Sequence, residues 1–385
     1  MAEAAFLFNK RKERWVIISF FFLSGILTAT WSSRIPDIQH KLGLSNAALG
    51  GVLFAIPVGL VTGLTIAGWL VATFGPQRIM LVSCIFCAVT LVIVAMASTV
   101  FSLMFFLFLL GLGRTVFGLS ANTSAIDLQR HYQHPILARF HGVWSLACLV
   151  AAGAGTVMII WDVKLLLHFL IMAMAALVVA IALVGKNSGQ LVSKERQPLF
   201  VKPDKHLFLL GLITLSAMLC EGAVFDWSVN YFDKVVHAKK SFVTIGYMAF
   251  VISMTAGRLA GDRLIRMFGV FRMLVANGLL MAGGFAIAAL FPFIFPAGFG
   301  FLLIGLGDSI LVPMVYMLAA KSKKMPAAYA LSSVTLIGYC GFLIGPLFIG
   351  NVADIWGMSV AFLCLSGISM LIILIALQVR NPPEN

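Results

Sequence analysis

Five ionisable side chains interrupt long apolar runs of this sequence: Arg114, Glu221, Asp226, Arg258 and Asp308. If these runs cross a membrane, each such group costs roughly 2.5–3.5 kcal/mol on insertion scales and needs a partner or a function. Burial disfavours the charged form of a carboxyl group and a nearby guanidinium favours it, so such acids can bind and release protons. A fixed arginine in a dry cavity suits a carboxylate, a phosphate or sugar hydroxyls, because its donors are planar and forked.

Three of these residues, Glu221, Asp226 and Asp308, are the candidates for proton coupling. Glu221 and Asp226 lie about 140° apart around a helix. Both can therefore face one point only if the helix is broken, which Gly222 would permit. We expect one of the two to face the cavity and bind a proton, and the other to tie its span to a neighbour. Glu221 ranks first because it lies deeper in its span.

The composition predicts that the chain is embedded in a membrane. Hydrophobic residues make up 61% of the chain, charged residues 11%, and the mean hydropathy is +1.04. A soluble domain has roughly 45–50% apolar and about 25% charged residues. Soluble enzymes, disordered proteins and outer-membrane barrels are excluded, the last because barrel strands alternate. We find no nucleophile elbow, phosphate loop or zinc motif, so neither catalysis, a cofactor nor a metal is predicted.

The apolar runs predict an all-α integral membrane protein with twelve transmembrane helices in two six-helix bundles. The bundles occupy residues 1–185 and 206–385, and a polar linker, 186–205, joins them. Most of the 27 Lys and Arg residues then lie on one side, which predicts that both termini lie in the cytoplasm. The net charge of +13 thus reflects topology and not nucleic-acid binding. The predicted spans are 15–35, 46–72, 78–98, 100–123, 139–160, 165–185, 206–231, 242–262, 271–291, 295–319, 327–349 and 357–379.

The two halves repeat each other. Gly111–Thr115 matches Gly305–Ser309 at an offset of 194 residues, and Trp31 with Ser32 matches Trp227 with Ser228 at an offset of 196. Repeats in a protein with many spans indicate a transporter whose substrate site lies near the bilayer midplane between the halves.

The repeat puts Arg114 and Asp308 at equivalent points of spans four and ten. Either they approach each other or a common ligand across a central cavity, or they belong to two unrelated local pairs. The aromatic candidates could stack on a substrate or could be packing residues. The predicted substrate-binding set is Arg114, Asp308, Trp31, Ser32, Trp227, Asn230, Tyr316 and Tyr339.

Other residues are predicted to serve gating or structure. Arg258 and Asp262 lie four residues apart on one helix face, and we expect them to form a pair that anchors the loop between spans eight and nine. His141 is a candidate gate contact, and Pro57, Pro313 and Pro346 are expected to bend their spans. The GxxxG pairs, such as Gly59 with Gly63, indicate close helix contacts, either static or sliding. The gating and structural set is Arg258, Asp262, Arg263, His141, Gly75 and Arg78.

This pattern resembles the major facilitator superfamily over essentially the whole chain. The segment 68–78 resembles the family's loop between spans two and three, with Ala72 in place of the usual acidic residue, and 257–272 resembles its second copy. Arg114 followed by Gly118 resembles the family's span-four arginine motif. More narrowly, 31–38, 140–146 and 221–228 are similar to the MosC-like branch related to fucose permeases. The resemblance implies a protein of the bacterial inner membrane and a sugar- or cyclitol-like solute that moves with protons, although Asp308 departs from that branch.

The predicted function is secondary active transport of a small polar solute, a sugar, cyclitol or organic acid, by alternating access and proton symport. One alternative is a proton antiporter that exports a drug or a metabolite such as a siderophore. An alternative of another class is a membrane sensor that moves no solute. The expected partners are the solute, protons and the lipid bilayer, without nucleic acid, and the expected state is a monomer.

Overall fold

The helices of this protein follow the apolar runs of the sequence. The computed structural model describes residues 2–129, 131–132, 136–183, 203–322 and 327–380, so most of the predicted linker, 186–205, lies outside the described residues. Fifteen α-helices and no strand occur in this described part. In chain order they are α1 (Ala2–Ser32), α2 (Ile35–Leu42), α3 (Asn46–Leu53), α4 (Ala55–Phe74), α5 (Pro76–Met96), α6 (Val100–Gln129), α7 (Leu137–Ile160), α8 (Leu165–Ala182), α9 (Lys205–Lys234), α10 (Ile245–Phe268), α11 (Val270–Leu290), α12 (Ile294–Asp308), α13 (Leu311–Ala319), α14 (Ala327–Trp356) and α15 (Met358–Arg380).

Twelve segments of the described chain are long and apolar enough to cross a membrane, and they coincide with the twelve predicted spans. Three spans contain two helices each: α1 with α2, α3 with α4, and α12 with α13. The prediction of an all-α membrane protein with twelve spans is confirmed.

Prolines account for two of the interruptions. A proline has no N–H, so the carbonyl four residues before it loses its helical donor. α12 ends at Asp308 and α13 begins at Leu311, just before Pro313. α3 and α4 are divided at Phe54, just before Pro57. Pro346, by contrast, lies inside α14.

The chain divides into two compact units. The described residues of the N-terminal unit fall within 1–42 and 55–194, and those of the C-terminal unit within 43–54 and 195–385. In the N-terminal unit α1 packs on α7, α4 on α6, and α5 on both α6 and α8. In the C-terminal unit α9 packs on α14, α10 on α12, and α11 on α12 and α15. The short helix α3 belongs to the C-terminal unit and lies against α14.

Glycine contacts in the two units repeat at the offset found in the sequence. A Cβ on Gly111 would meet the backbone carbonyl of Ile56, and a Cβ on Gly305 would meet that of Phe250, 194 residues further on in both cases. The predicted repeat therefore extends from residue types to the contacts that they make. Close backbone approach of this kind is how helices pack without a hydrophobic driving force between them.

Candidate functional site

A charged pair lies inside the spans of the C-terminal unit. Oε1 of Glu221, on α9, lies 3.8 Å from Nη2 of Arg258, on α10. The two side chains keep 17% and 32% of their surface exposed, respectively. They are therefore largely withdrawn from solvent and still open enough to be reached by a small ligand or a proton.

The break between α12 and α13 determines what else Arg258 binds. Pro313 cannot donate to the Ser309 carbonyl, which would be its partner in a continuous helix. Nε of Arg258 donates to that carbonyl oxygen at 3.3 Å. Gly257, the residue before Arg258, allows this approach, since a Cβ there would lie 2.6 Å from the Cβ of Ser309. One guanidinium thus satisfies an orphaned carbonyl and faces a carboxylate.

Asp308 is the third charged member of this group. It is the last residue of α12 and is 4% exposed, and its Oδ1 has no hydrogen-bond partner among the described residues. Glu221 and Arg258 both act on it electrostatically. Two carboxyl groups therefore share one guanidinium cation. Since the two carboxylates together carry one more charge than the guanidinium balances, the group can accept one further positive charge, such as a proton.

Two phenols complete the group. Tyr316 on α13 and Tyr339 on α14 are both within electrostatic range of Glu221. Oγ1 of Thr335 donates a hydrogen bond to the Tyr316 hydroxyl at 2.9 Å. The fold thus brings together five predicted residues, which come from the proton-coupling, substrate-binding and gating sets. We name this set the Glu221 cluster; its members are Glu221, Arg258, Asp308, Tyr316 and Tyr339.

Arg258 corrects one expectation from the sequence. The predicted pair with Asp262 is not formed among the described residues, because Arg258 turns towards α9 and the α12–α13 break instead. Asp262 and its neighbour Arg263 are exposed near the end of α10. Helical spacing offered Asp262 as a partner, but the orphaned carbonyl and the buried carboxylate decide the contact.

Asp226 stands apart from Glu221. α9 runs without interruption from Lys205 to Lys234, so Gly222 does not break it and the two acids point in different directions. Asp226 is half-buried and has interactions of its own within the described residues. Its role in proton coupling stays a prediction.

The predicted tryptophan contacts lie in the interiors of the two units. Trp31 is 1% exposed and Trp227 is 0% exposed, and the indole N–H of each has no hydrogen-bond partner among the described residues. Ser32 and Asn230 are buried as well. These positions favour packing, and a substrate contact would require the side chains to become exposed.

Arg114 of α6 lies in the N-terminal unit. It is half-buried, and Cys87 of α5 lies within its electrostatic range. It forms no hydrogen bond or ion pair with another described residue. Of the two alternatives that the sequence left open, a local ion pair at this arginine is not found within the described part of the chain, and a role of Arg114 in substrate binding stays a prediction.

Three further predicted gating residues, Gly75, Arg78 and His141, lie at the beginnings of α5 and α7. Gly75 has φ 84° and Gly269, at the equivalent place in the second half, has φ 79°. Both angles are in the left-handed region, which favours glycine. Arg78 is exposed in the first turn of α5, and the exposed His141 contacts the ring of Phe21 edge-on at 5.5 Å.

Potential metal ligands are scattered. Across the described ranges, no three His, Cys, Asp or Glu side chains are grouped so that they could hold a metal ion.

Comparison with known proteins decides the family. Residues 16–335 match the sequence profile of the Major Facilitator Superfamily. The chain belongs to this superfamily. Members of the superfamily are transporters and not enzymes, so the predicted class of protein is confirmed.

The relatives of this facilitator agree with the narrower resemblance. It is 30% identical over 364 residues to an uncharacterized MFS-type transporter of Yersinia pestis, covering 94% of this chain and 93% of that protein. It is 27% identical over 353 residues to membrane protein MosC of Rhizobium meliloti, covering 91% and 86%. The predicted likeness to MosC is thereby confirmed.

Two solved structures have the fold of this facilitator. A mutant of the nucleoside transporter NupG matches with a TM-score of 0.78 at 13% identity, covering 96% of this chain and 99% of that one. A bacterial homolog of the human lysosomal transporter Spinster matches with a TM-score of 0.73 at 15% identity, covering 95% and 96%.

Sequence reasoning missed two members of the site. Thr335, the hydrogen-bond donor to Tyr316, was not singled out, because a threonine in an apolar span carries no signal of its own. The Ser309 carbonyl was also missed, although Pro313 four residues later marks it as an acceptor without a helical donor. A search for such carbonyls beside buried arginines would have found it.

Proposed function

We propose that this facilitator is a secondary active transporter that moves a small polar solute together with protons by alternating access. A sugar, a cyclitol or an organic acid fits the polar character of the Glu221 cluster. The observation that carries the proposal is that cluster itself: the buried Asp308 and the partly exposed Glu221 with one guanidinium, at a break in span ten.

Glu221 is the proposed proton-binding residue. It is the more exposed of the two acids in the cluster and it faces Arg258 directly. A proton on Glu221 removes the attraction between the two side chains and leaves Arg258 bound to the Ser309 carbonyl alone. A solute that binds the two forms with different affinity then couples its own movement to that of the proton.

The proposed location of this transporter is the bacterial inner membrane, with both termini in the cytoplasm. The proposed oligomeric state is a monomer. The excess of Lys and Arg in the predicted cytoplasmic segments supports the orientation. The name of NupG adds nucleosides to the solutes worth testing, although its likeness to this chain concerns the fold alone.

Proton movement in proteoliposomes tests the proposal. The purified chain is reconstituted around a pH-sensitive dye, and sugars, cyclitols, organic acids and nucleosides are added in turn. We expect one of these solutes to carry protons inward with it, and Glu221→Gln to abolish the dye signal. Asp162→Asn, which changes an exposed acid outside the spans, should behave as wild type. Protons that move opposite to the solute would indicate antiport, and no proton movement with measurable solute uptake would overturn the coupling.

A further inference from the structure

Arg114 carries a charge that the N-terminal unit does not balance. Its electrostatic neighbour, Cys87, is a thiol and supplies no permanent negative charge. Asp127, the acid on the same helix, is about 20 Å further along the axis. Asp37 is already paired with Arg34 at 2.9 Å. The guanidinium thus lies in the interior of a span without a counter-ion among the described residues.

The direction of Arg114 around α6 differs from that of most lipid-exposed side chains of this helix. Three of the four exposed large apolar residues of this helix, Phe101, Phe105 and Ile126, lie about 120–180° away from Arg114, and the fourth, Val100, is the first residue of the helix, about 21 Å along the axis from Arg114. A helix that presents its aromatic and aliphatic side chains to lipid on one side keeps its charged residue on the other.

The angular positions of the residues around α6 also place Arg114 beside the contacts of this helix with α1 and α4. Phe117 packs edge-on against Phe20 of α1, with ring centroids 6.2 Å apart. Thr115 donates a hydrogen bond at 2.9 Å to the Leu60 carbonyl of α4. Arg114 lies in the sector of α6 between these two contacts. Because its side chain is only half-buried, this sector is partly accessible, and we call it the open sector.

The open sector continues for two turns. A Cβ added to Gly118, one turn beyond Arg114, would meet no atom within 4 Å. Asn122, one turn further, donates its Nδ2 to the Gly118 carbonyl at 2.9 Å, which directs its own side-chain oxygen away from that bond. A charged donor, a space and a polar side chain therefore follow one another along one face of the helix.

We propose that this face binds a carboxylate-bearing solute and that Arg114 pairs with the carboxylate. The term solute rests on the proposed transport function; the binding itself does not. We name the face Arg114–Gly118–Asn122 the α6 anion face.

Charge decides which anion fits. A neutral sugar would accept hydrogen bonds from the guanidinium but would leave its charge unbalanced in a medium of low dielectric constant. A phosphate monoester carries about −1.5 to −2 at neutral pH and would exceed the single positive charge. A carboxylate matches that charge, and its two oxygens accept the forked donors in parallel.

Thermal unfolding of the detergent-solubilised full chain tests the inference with matched compounds. The acids are glucuronate, quinate and lactate, and their neutral counterparts are glucose, inositol and propanediol. We expect at least one acid to raise the unfolding temperature of the wild type and its counterpart to have no effect. Arg114→Gln should abolish the shift, and Arg114→Lys, which retains the charge without the fork, should weaken it.

Two further variants separate binding from folding. Gly118→Leu fills the open sector and leaves Arg114 in place, so it should fold and still lose the acid-dependent shift. Arg139→Gln, which removes an exposed arginine of the same unit, should retain the shift in full.

Three outcomes would overturn the inference: no response to any acid, an equal response to acid and neutral counterpart, or a response that survives Arg114→Gln. Failure of the inference is distinguishable from failure of the proposed transport. Acid binding without proton movement in liposomes would refute the coupling and leave the α6 anion face standing. Proton-coupled uptake of a neutral solute that Arg114→Gln does not affect would refute the α6 anion face and leave the proton coupling standing.

Discussion

At the scale of single residues, Arg258 connects a carboxylate on one helix with a helix break on another. Arg258→Gln leaves Glu221 without its cation, and we expect a loss of about 1–2 kcal/mol in stability, because the pair is only partly exposed. The double variant Glu221→Gln with Arg258→Gln should recover part of that loss, since no charge of the pair is left alone, although Asp308 still loses its cation. Denaturant unfolding in detergent measures both.

Arg266→Gln is the matched control, because it removes an exposed arginine of the same helix. Equal losses for Arg258→Gln and for the double variant would show that the pair with Glu221 contributes nothing.

The sequence identifies the acids of this site better than their partners. Glu221 and Asp308 are conspicuous because a carboxyl group is costly in an apolar span. The partner of Arg258 could not be predicted, since spacing along one helix indicates Asp262, while the actual contacts come from α9 and from the residue after Asp308. Such contacts depend on how the helices pack against each other, and the spacing of residues within one helix does not predict that packing.

At the scale of elements, the break between α12 and α13 is a consequence of Pro313. Pro313→Ala restores the N–H that the Ser309 carbonyl lacks, so the two helices can join. We expect the added hydrogen bond to favour the continuous form by about 1 kcal/mol, or about fivefold in the equilibrium. Solute uptake should slow accordingly, because Arg258 loses its acceptor.

Pro296→Ala provides the control for this change. Pro296 lies in the first turn of α12, where no helical donor is required, so its replacement should leave uptake unchanged. Uptake that is the same in Pro313→Ala and in wild type would refute a role for the break.

The glycine contacts give a second prediction at this scale. Gly305→Ala places a methyl group against the Phe250 carbonyl and should cost about 1–3 kcal/mol in stability through overpacking. Gly111→Ala should cost a similar amount against Ile56 in the N-terminal unit. Gly283→Ala, where a Cβ would meet nothing, should be neutral or stabilising. Thermal unfolding of the three variants distinguishes packing from helix propensity.

Helix existence was more predictable than helix continuity. All twelve spans follow from apolar runs of sufficient length. Prolines 57, 313 and 346 carry the same local signal, yet two of them accompany divided helices and the third lies inside α14. At the carbonyl that Pro313 frees, Arg258 supplies a donor that the sequence does not indicate.

At the scale of the whole molecule, the repeat relates the two units, since the same glycine contacts recur in both. The proposed orientation in the membrane rests on the distribution of Lys and Arg, and on that basis we expect a C-terminal fluorescent fusion to fluoresce in the cytoplasm. An alkaline phosphatase fused at the same place should be inactive. An active phosphatase would reverse the predicted topology.

The central claim is that Glu221 couples solute movement to protons. Its most direct test compares two activities in the same proteoliposomes: exchange of labelled for unlabelled solute, and accumulation driven by a proton gradient. Exchange requires binding and alternation between the two states but no net proton movement, so we expect Glu221→Gln to retain exchange and to lose accumulation. Accumulation that persists in Glu221→Gln would contradict it.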